Sequence, residues 1–119
     1  MARARRQSVG IDLVDVSRFS KFKKHAPHPF LAKVFTKYEL DYCWKFKEPA
    51  THLAGIFAAK EAASKALGVA RYPFAEIEIC HDKSGKPYAR KNGRTLPVAI
   101  SITHTATFAA AIAALEPLV

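Results

Sequence analysis

The sequence predicts an α+β domain, a long helix packed on a mostly antiparallel sheet. Three observations carry this. Leu53 to Gly68, LAGIFAAKEAASKALG, has the length and composition of a buried helix. Alternating segments stand at both ends of the chain, SVGIDLVDV at Ser8 to Val16 and PVAISIT at Pro97 to Thr103. Short turn signals, DKSGKP at Asp82 to Pro87 and Asn92-Gly93, separate the later segments, as antiparallel connections require.

The elements follow in order. In the first strand Val9, Ile11 and Leu13 face one side, and Gly10, Asp12, Val14 and Val16 the other. Asp12 thus points with valines, on a side that ought to be dry. Ser17 to Lys24 reads as a short helix with Ser17 as N-cap and Phe19 and Phe22 three apart. HAPHPF is a break, because its two prolines cannot continue a helix. Thr36 and Glu39 have capping-box spacing and open a helix over TKYELDYCWKF, with Leu40, Cys43 and Trp44 as its buried stripe. Pro49 suits the first turn of the long helix and Gly68 its exit. Phe74 to His81 alternates as a strand, and Tyr88 to Arg90 is a further short one. In Phe108 to Leu115, FAAAIAAL, alanine propensity favours helix, while the short distance from the preceding strand favours a hairpin partner.

A chain of 119 residues builds one core. Residues 1–7 read as a flexible basic arm and 8–119 as the single domain. Nineteen Lys and Arg against ten Asp and Glu give a formal charge of +9, which favours anionic partners. Cys43 and Cys80 match no metal spacing and read as reduced thiols in a cytoplasmic protein. The N-terminal residues lack the apolar stretch of a secretory signal, and no apolar run is long enough to span a bilayer.

Lys60, Glu61 and Lys65 place charge inside an otherwise small and apolar helix. Glu61, Ser64, Lys65 and Gly68 share one face, with Phe57 one turn before them. Glu61 and Lys65, four apart, also suit a plain surface ion pair. Asp12 and the strand-end His104 make the combination more suggestive. Mg²⁺ takes one or two carboxylates plus phosphate oxygens and waters, and a basic surround suits a polyphosphate.

These residues, in this order, resemble the holo-acyl-carrier-protein synthase family, the short 4′-phosphopantetheinyl transferases. The matching pieces are VGIDLVDVSRF, FTKYEL, LAGIFAAKEAASKALG, the GKPY of Gly85 to Tyr88, and SITHT with the apolar tail after it. The resemblance implies the 4′-phosphopantetheinyl transferase fold and Mg²⁺-dependent transfer of phosphopantetheine from coenzyme A to a serine of an acyl carrier protein, releasing adenosine 3′,5′-bisphosphate. It implies Asp12 and Glu61 as metal ligands and, with Lys65, as the catalytic group. It implies Ser64, Gly68, Gly85, Lys86, Pro87, His104 and Thr105 as the coenzyme A site. Arg18, Lys21 and Phe22, with Phe22 exposed as an anchor, would meet the acidic carrier protein. A homotrimer with active sites at subunit interfaces is implied as well, and a strand at Phe108 to Leu115. Neither a nucleic acid nor a membrane is an expected partner, though a basic nucleic-acid-binding module and a non-catalytic carrier-protein binder are the rival readings. Fatty-acid and polyketide carriers are equally compatible. The chain departs from the family pattern at Ile56, where an arginine is common, and at Ala70, where a glycine is common.

Overall fold

A computed structural model describes residues 8–69 and 76–117. The basic arm at 1–7, Ala70 and the start of the strand expected from Phe74 lie outside them. The elements run β1 (Val9–Asp15), a 3-10 helix (Val16–Phe19), α1 (Pro29–Val34), α2 (Lys37–Trp44), α3 (Pro49–Leu67), β2 (Glu78–His81), β3 (Pro87–Lys91), β4 (Arg94–Thr95), β5 (Val98–His104) and β6 (Phe108–Leu115). One antiparallel sheet has the order β1-β6-β5 and a second the order β2-β3-β4. α3 packs on all three strands of the first sheet and also meets α2 and β2.

β6 is a strand, as the family resemblance implies and against the pull of its alanines. It is the central strand, so its backbone bonds to β1 on one side and β5 on the other. Ala109, Ala111 and Ala113 turn inward and are fully or almost fully buried. Facing them, α3 buries Ala54, Ala58, Ala59, Ala62, Ala63 and Ala66. Small residues on both surfaces let helix and sheet approach closely, and tertiary context overrides a weak intrinsic preference.

At Gly10 strand and helix come very close. A Cβ there would overlap the Ala62 carbonyl oxygen and lie 2.8 Å from Lys65 Cβ. Gly10 therefore serves a packing need that the alternation of β1 does not reveal. As expected, Gly10, Val14 and Val16 are buried. The outer residues Val9, Ile11 and Leu13 are 60%, 63% and 66% exposed.

α2 begins with the capping box that Thr36 and Glu39 suggest. Glu39 N donates to Thr36 Oγ1, and Thr36 N donates to Glu39 Oε1. The carboxylate then does more than cap. It also accepts from Lys60 Nζ at 2.6 Å and from the Ile79 backbone N–H at 2.7 Å. Glu39 and Lys60 are both 0% exposed. Burial raises the Glu39 carboxyl and lowers the Lys60 ammonium from their ordinary values, while their mutual attraction opposes both shifts. One carboxylate thereby ties α2, α3 and β2 together. α3 itself starts at Pro49 and ends at Gly68, whose φ of 73° is the left-handed conformation that glycine tolerates.

Three local expectations need correction. The helix after β1 stops at Phe19, and its cap is Asp15, whose carboxylate accepts from the backbone N–H and hydroxyl of Ser17. The proline-rich break hides α1: Pro29 occupies its first turn, where no amide hydrogen is needed, and His28 caps it. Phe22 is not an exposed anchor. It is 9% exposed and stacks on Phe30 at 5.9 Å. Phe19 sits at the middle of this cluster, 5.6–6.2 Å from the rings of Phe22, Phe30, Phe35 and Phe57. The chain bends after Phe19 so that both rings reach one core.

Two outcomes test this packing. Glu39→Gln or Lys60→Met alone will destabilise the protein by about 3–5 kcal/mol in urea unfolding, because each strands a buried charge. The double variant Glu39→Leu with Lys60→Met will recover much of that loss. Gly10→Ala will destabilise by about 1–3 kcal/mol in the same assay, since β1 must move away from α3.

Candidate functional site

β1 and α3 bring the two predicted carboxylates to one place. Asp12 follows Gly10 by two on the inward face of β1, and Glu61 neighbours Ala62, the residue against which Gly10 packs. The close approach at Gly10 therefore sets their separation. Both side chains are half-buried. Burial raises the Asp12 carboxyl above its ordinary range, while Lys65 and Arg18 pull it down. Burial raises Glu61 too, the nearby Asp12 carboxylate adds to the rise, and Lys65 and Arg18 oppose it. Asp12, Glu61 under its charge, and two flanking cations make up the site.

Lys65 reaches across to β1. Its Nζ donates to the Ile11 carbonyl at 2.7 Å and lies 3.6 Å from Asp12 Oδ1. Its close contacts therefore run between elements, where a plain ion pair along the helix was the alternative, and its charge still acts on Glu61. Arg18, expected at the carrier-protein surface, has its guanidinium 5.1 Å from the centroid of the Phe57 ring on α3. Its charge acts on both carboxylates. Arg18 therefore borders the carboxylate pair as well as the surface. Lys21 is exposed and sets its ammonium 5.4 Å from the Phe22 ring.

No group of three or more His, Cys, Asp or Glu suited to a metal occurs among the described residues. The donor set at Asp12 and Glu61 is two half-buried carboxylate side chains. That is the pattern Mg²⁺ accepts, since it dehydrates reluctantly and takes few protein ligands.

A second feature lies at the other end of α3. Tyr42, Thr51, His52, Gly55, Ile56, His81, Gly85, Pro87, Ile102 and His104 enclose a cleft of about 200 Å³. Gly85, Pro87 and His104, predicted for coenzyme A, meet here. Ile56, one of the two departures from the family pattern noted in the sequence, lines the cleft. Lys86, in the turn between β2 and β3, donates its backbone N–H to Asp82. Ser64 donates its hydroxyl to the Lys60 carbonyl within α3, and Gly68 is the exposed exit of that helix. Thr105 Oγ1 accepts from the backbone of Thr107 and Phe108, shaping the β5–β6 turn. Ser64, Gly68, Lys86 and Thr105 do not line this cleft. Sequence reasoning passed over His52 and His81, which come from α3 and β2 and share no spacing.

The 4′-phosphopantetheinyl transferase superfamily profile matches residues 8–114. The holo-[acyl-carrier-protein] synthase of Caldanaerobacter subterraneus is 37% identical over 116 residues, covering 88% of this chain and 91% of that protein. The synthase of Moorella thermoacetica is 39% identical over 118 residues, covering 90% and 91%. Among solved structures, the Bacillus anthracis synthase in complex with CoA (3′,5′-ADP) superposes with a TM-score of 0.77 at 32% identity, covering 93% of this chain and 96% of that one. The Helicobacter pylori synthase in complex with coenzyme A superposes at 0.73 with 31% identity, covering 88% and 96%. The expected architecture, a long helix on antiparallel sheets, is the one these structures share. With a family profile and full-length relatives agreeing across nearly all of its residues, this chain belongs to the holo-acyl-carrier-protein synthase family of 4′-phosphopantetheinyl transferases.

Proposed function

We propose that phosphopantetheine transfer from coenzyme A to an acyl carrier protein runs across the Asp12, Glu61 and Lys65 site. The juxtaposition of Asp12 and Glu61 across the β1–α3 contact, with Lys65 and Arg18 beside them, carries this reading. In the reaction a carrier serine Oγ bonds to the phosphorus that bears the pantetheine. The bond from that phosphorus to the bridging oxygen breaks, adenosine 3′,5′-bisphosphate leaves, and the serine proton is released. Such a transfer needs in-line positioning and neutralised charge more than covalent help.

Asp12 and Glu61 hold Mg²⁺, which when bound neutralises charge on the pyrophosphate oxygens. Lys65 presents a fixed ammonium to the same oxygens. Its bond to the Ile11 carbonyl positions the charge and suits neutralisation better than proton abstraction. Ser64 and Gly68 keep that helix face free of bulk, so the nucleotide can approach. Gly85, Lys86, Pro87, His104 and Thr105 come from the two turns that flank the far cleft and hold the nucleotide end of coenzyme A.

The carrier protein docks on the basic surface of Arg18 and Lys21, where charge steers an acidic partner. Phe22 supports that surface from the core behind it. The compartment is the cytoplasm; Cys43 and Cys80 are free, buried thiols, and no described helix is long and apolar enough to cross a membrane. A homotrimer buries the outer face of the β1-β6-β5 sheet and places each active site beside a neighbouring subunit. Val9, Ile11, Leu13, Phe108 and Ile112 give that face exposed apolar side chains, and Ile11 lies opposite Ile112 in the strand register. An apolar sheet face of this kind calls for a partner.

Incubating the protein with Mg²⁺, coenzyme A and apo carrier proteins of fatty-acid and polyketide type will add a phosphopantetheine mass to a carrier; binding without that mass would mark a non-catalytic carrier binder. Asp12→Asn and Glu61→Gln will each lower kcat by at least about a hundredfold. Each will also abolish the Mg²⁺-induced rise in Tm, a readout independent of turnover. For the wild-type protein Mg²⁺ at a hundred times Kd is worth about 2.7 kcal/mol of stability.

Light scattering tests the assembly. Leu13→Asp will convert a trimer to monomer, because the new charge cannot be buried against a second sheet.

A further inference from the structure

Among the described residues, Glu39 and Lys60 are the charged side chains that the fold buries completely, and the transfer described above uses neither. A buried ion pair adds little net stability over apolar residues of the same volume. Its presence asks for another reason.

The surface of α3 supplies one. The large residues that the helix buries, Leu53, Ile56 and Phe57, all stand in its first half. Beyond Phe57 the helix buries Ala58, Ala59, Ala62, Ala63 and Ala66, and Lys60 is the only large side chain buried there. The central strand β6 likewise presents Ala109, Ala111 and Ala113. Large side chains set into grooves normally locate a helix against its neighbours. Alanine on alanine gives close approach but low ridges, so it resists rotation of the helix about its axis only weakly.

The Glu39 carboxylate is a fixed anchor. Thr36 N donates to it at 2.9 Å from the start of α2, and Ile79 N at 2.7 Å from β2. Lys60 Nζ donates to it at 2.6 Å and so fastens the alanine-rich half of α3 to both elements. Glu61 is the next residue. Asp12 is held separately, in β1, where the register on β6 sets it opposite Ala111. The two carboxylates meet at one ion only when α3 presents Glu61 at the correct rotation. A turn of about 20° moves a group about 5–6 Å from the helix axis by about 2 Å. That is a whole Mg²⁺–oxygen bond length.

We propose that Glu39 and Lys60 are positioning residues for the transfer: their buried bond fixes the rotation of the second half of α3 and so places Glu61 where it can share a cation with Asp12. The inference rests on the metal-site reading of Asp12 and Glu61. It adds two residues that touch neither metal nor substrate.

The test separates placement from stability. Glu39→Leu with Lys60→Met fills the same space without a directional bond. Its urea midpoint will return towards that of the wild-type protein. Its Kd for Mg²⁺, read from the dependence of Tm on Mg²⁺ concentration, will rise at least about tenfold, the size usual when a metal ligand loses its support. The kcat at fixed Mg²⁺ will fall with it and return in part when Mg²⁺ is raised, which a loss of folded protein would not produce. Glu39→Asp keeps the charge pair and shortens its reach by one methylene. Its Kd for Mg²⁺ will lie between those of the wild-type protein and the double variant.

Unchanged Mg²⁺ affinity in the folded double variant overturns the positioning role and leaves the transferase reading intact. If the double variant does not fold, Glu39→Asp decides by the same readout, and wild-type affinity there overturns the role. Absence of any Mg²⁺ response in the wild-type protein removes the metal-site reading itself, and the positioning role with it.

Discussion

The contact between Gly10 and Ala62 is the constraint on which the rest of the structure depends. A strand residue without a side chain lets β1 settle directly on a helix carbonyl. Two residues along the strand and one along the helix, Asp12 and Glu61 are carried with it. The metal-binding reading, the position of Lys65 over the Ile11 carbonyl and the charge from Arg18 all presuppose that interval. Small residues continue the same logic: alanines from α3 and β6 keep helix and sheet close along their whole length.

The molecule treats its ionisable side chains in two ways. Glu39 and Lys60 are sealed, and three donors satisfy the carboxylate. Sealing a pair costs solvation that close hydrogen bonds must offset, so its benefit is more in specificity of arrangement than in net stability. Asp12, Glu61 and Lys65 remain partly open, with both carboxyls raised by burial and Glu61 raised further by Asp12. Such incomplete neutralisation is what an incoming cation and polyphosphate relieve.

Much of this was legible in the sequence where one residue type has one physical use. The Thr36 and Glu39 spacing located α2, and Pro49 and Gly68 bounded α3, because caps and helix-exit conformations admit few residues. Asp12 stood out because a carboxylate among valines needs a reason. Other features depend on partners distant in the chain. Alanine propensity pointed β6 towards helix, since no local signal records that two strands flank it. The prolines before Phe30 read as a break although the second one starts α1. Phe22 looked exposed because the aromatic cluster that claims it is assembled from four segments. His52 and His81 went unnoticed because only folding brings them to one cleft.

Lys60 and Glu61 are consecutive, so they point about 100° apart around the helix axis. One is inside the protein against Glu39, and the other opens towards Asp12. Rolling α3 forward by a single residue would drive Glu61 into the slot that Lys60 occupies, against Glu39, carboxylate against carboxylate, without water. The sealed pair thus acts as a key that fixes the angular setting of the helix, and it aims the acid next to it at its target.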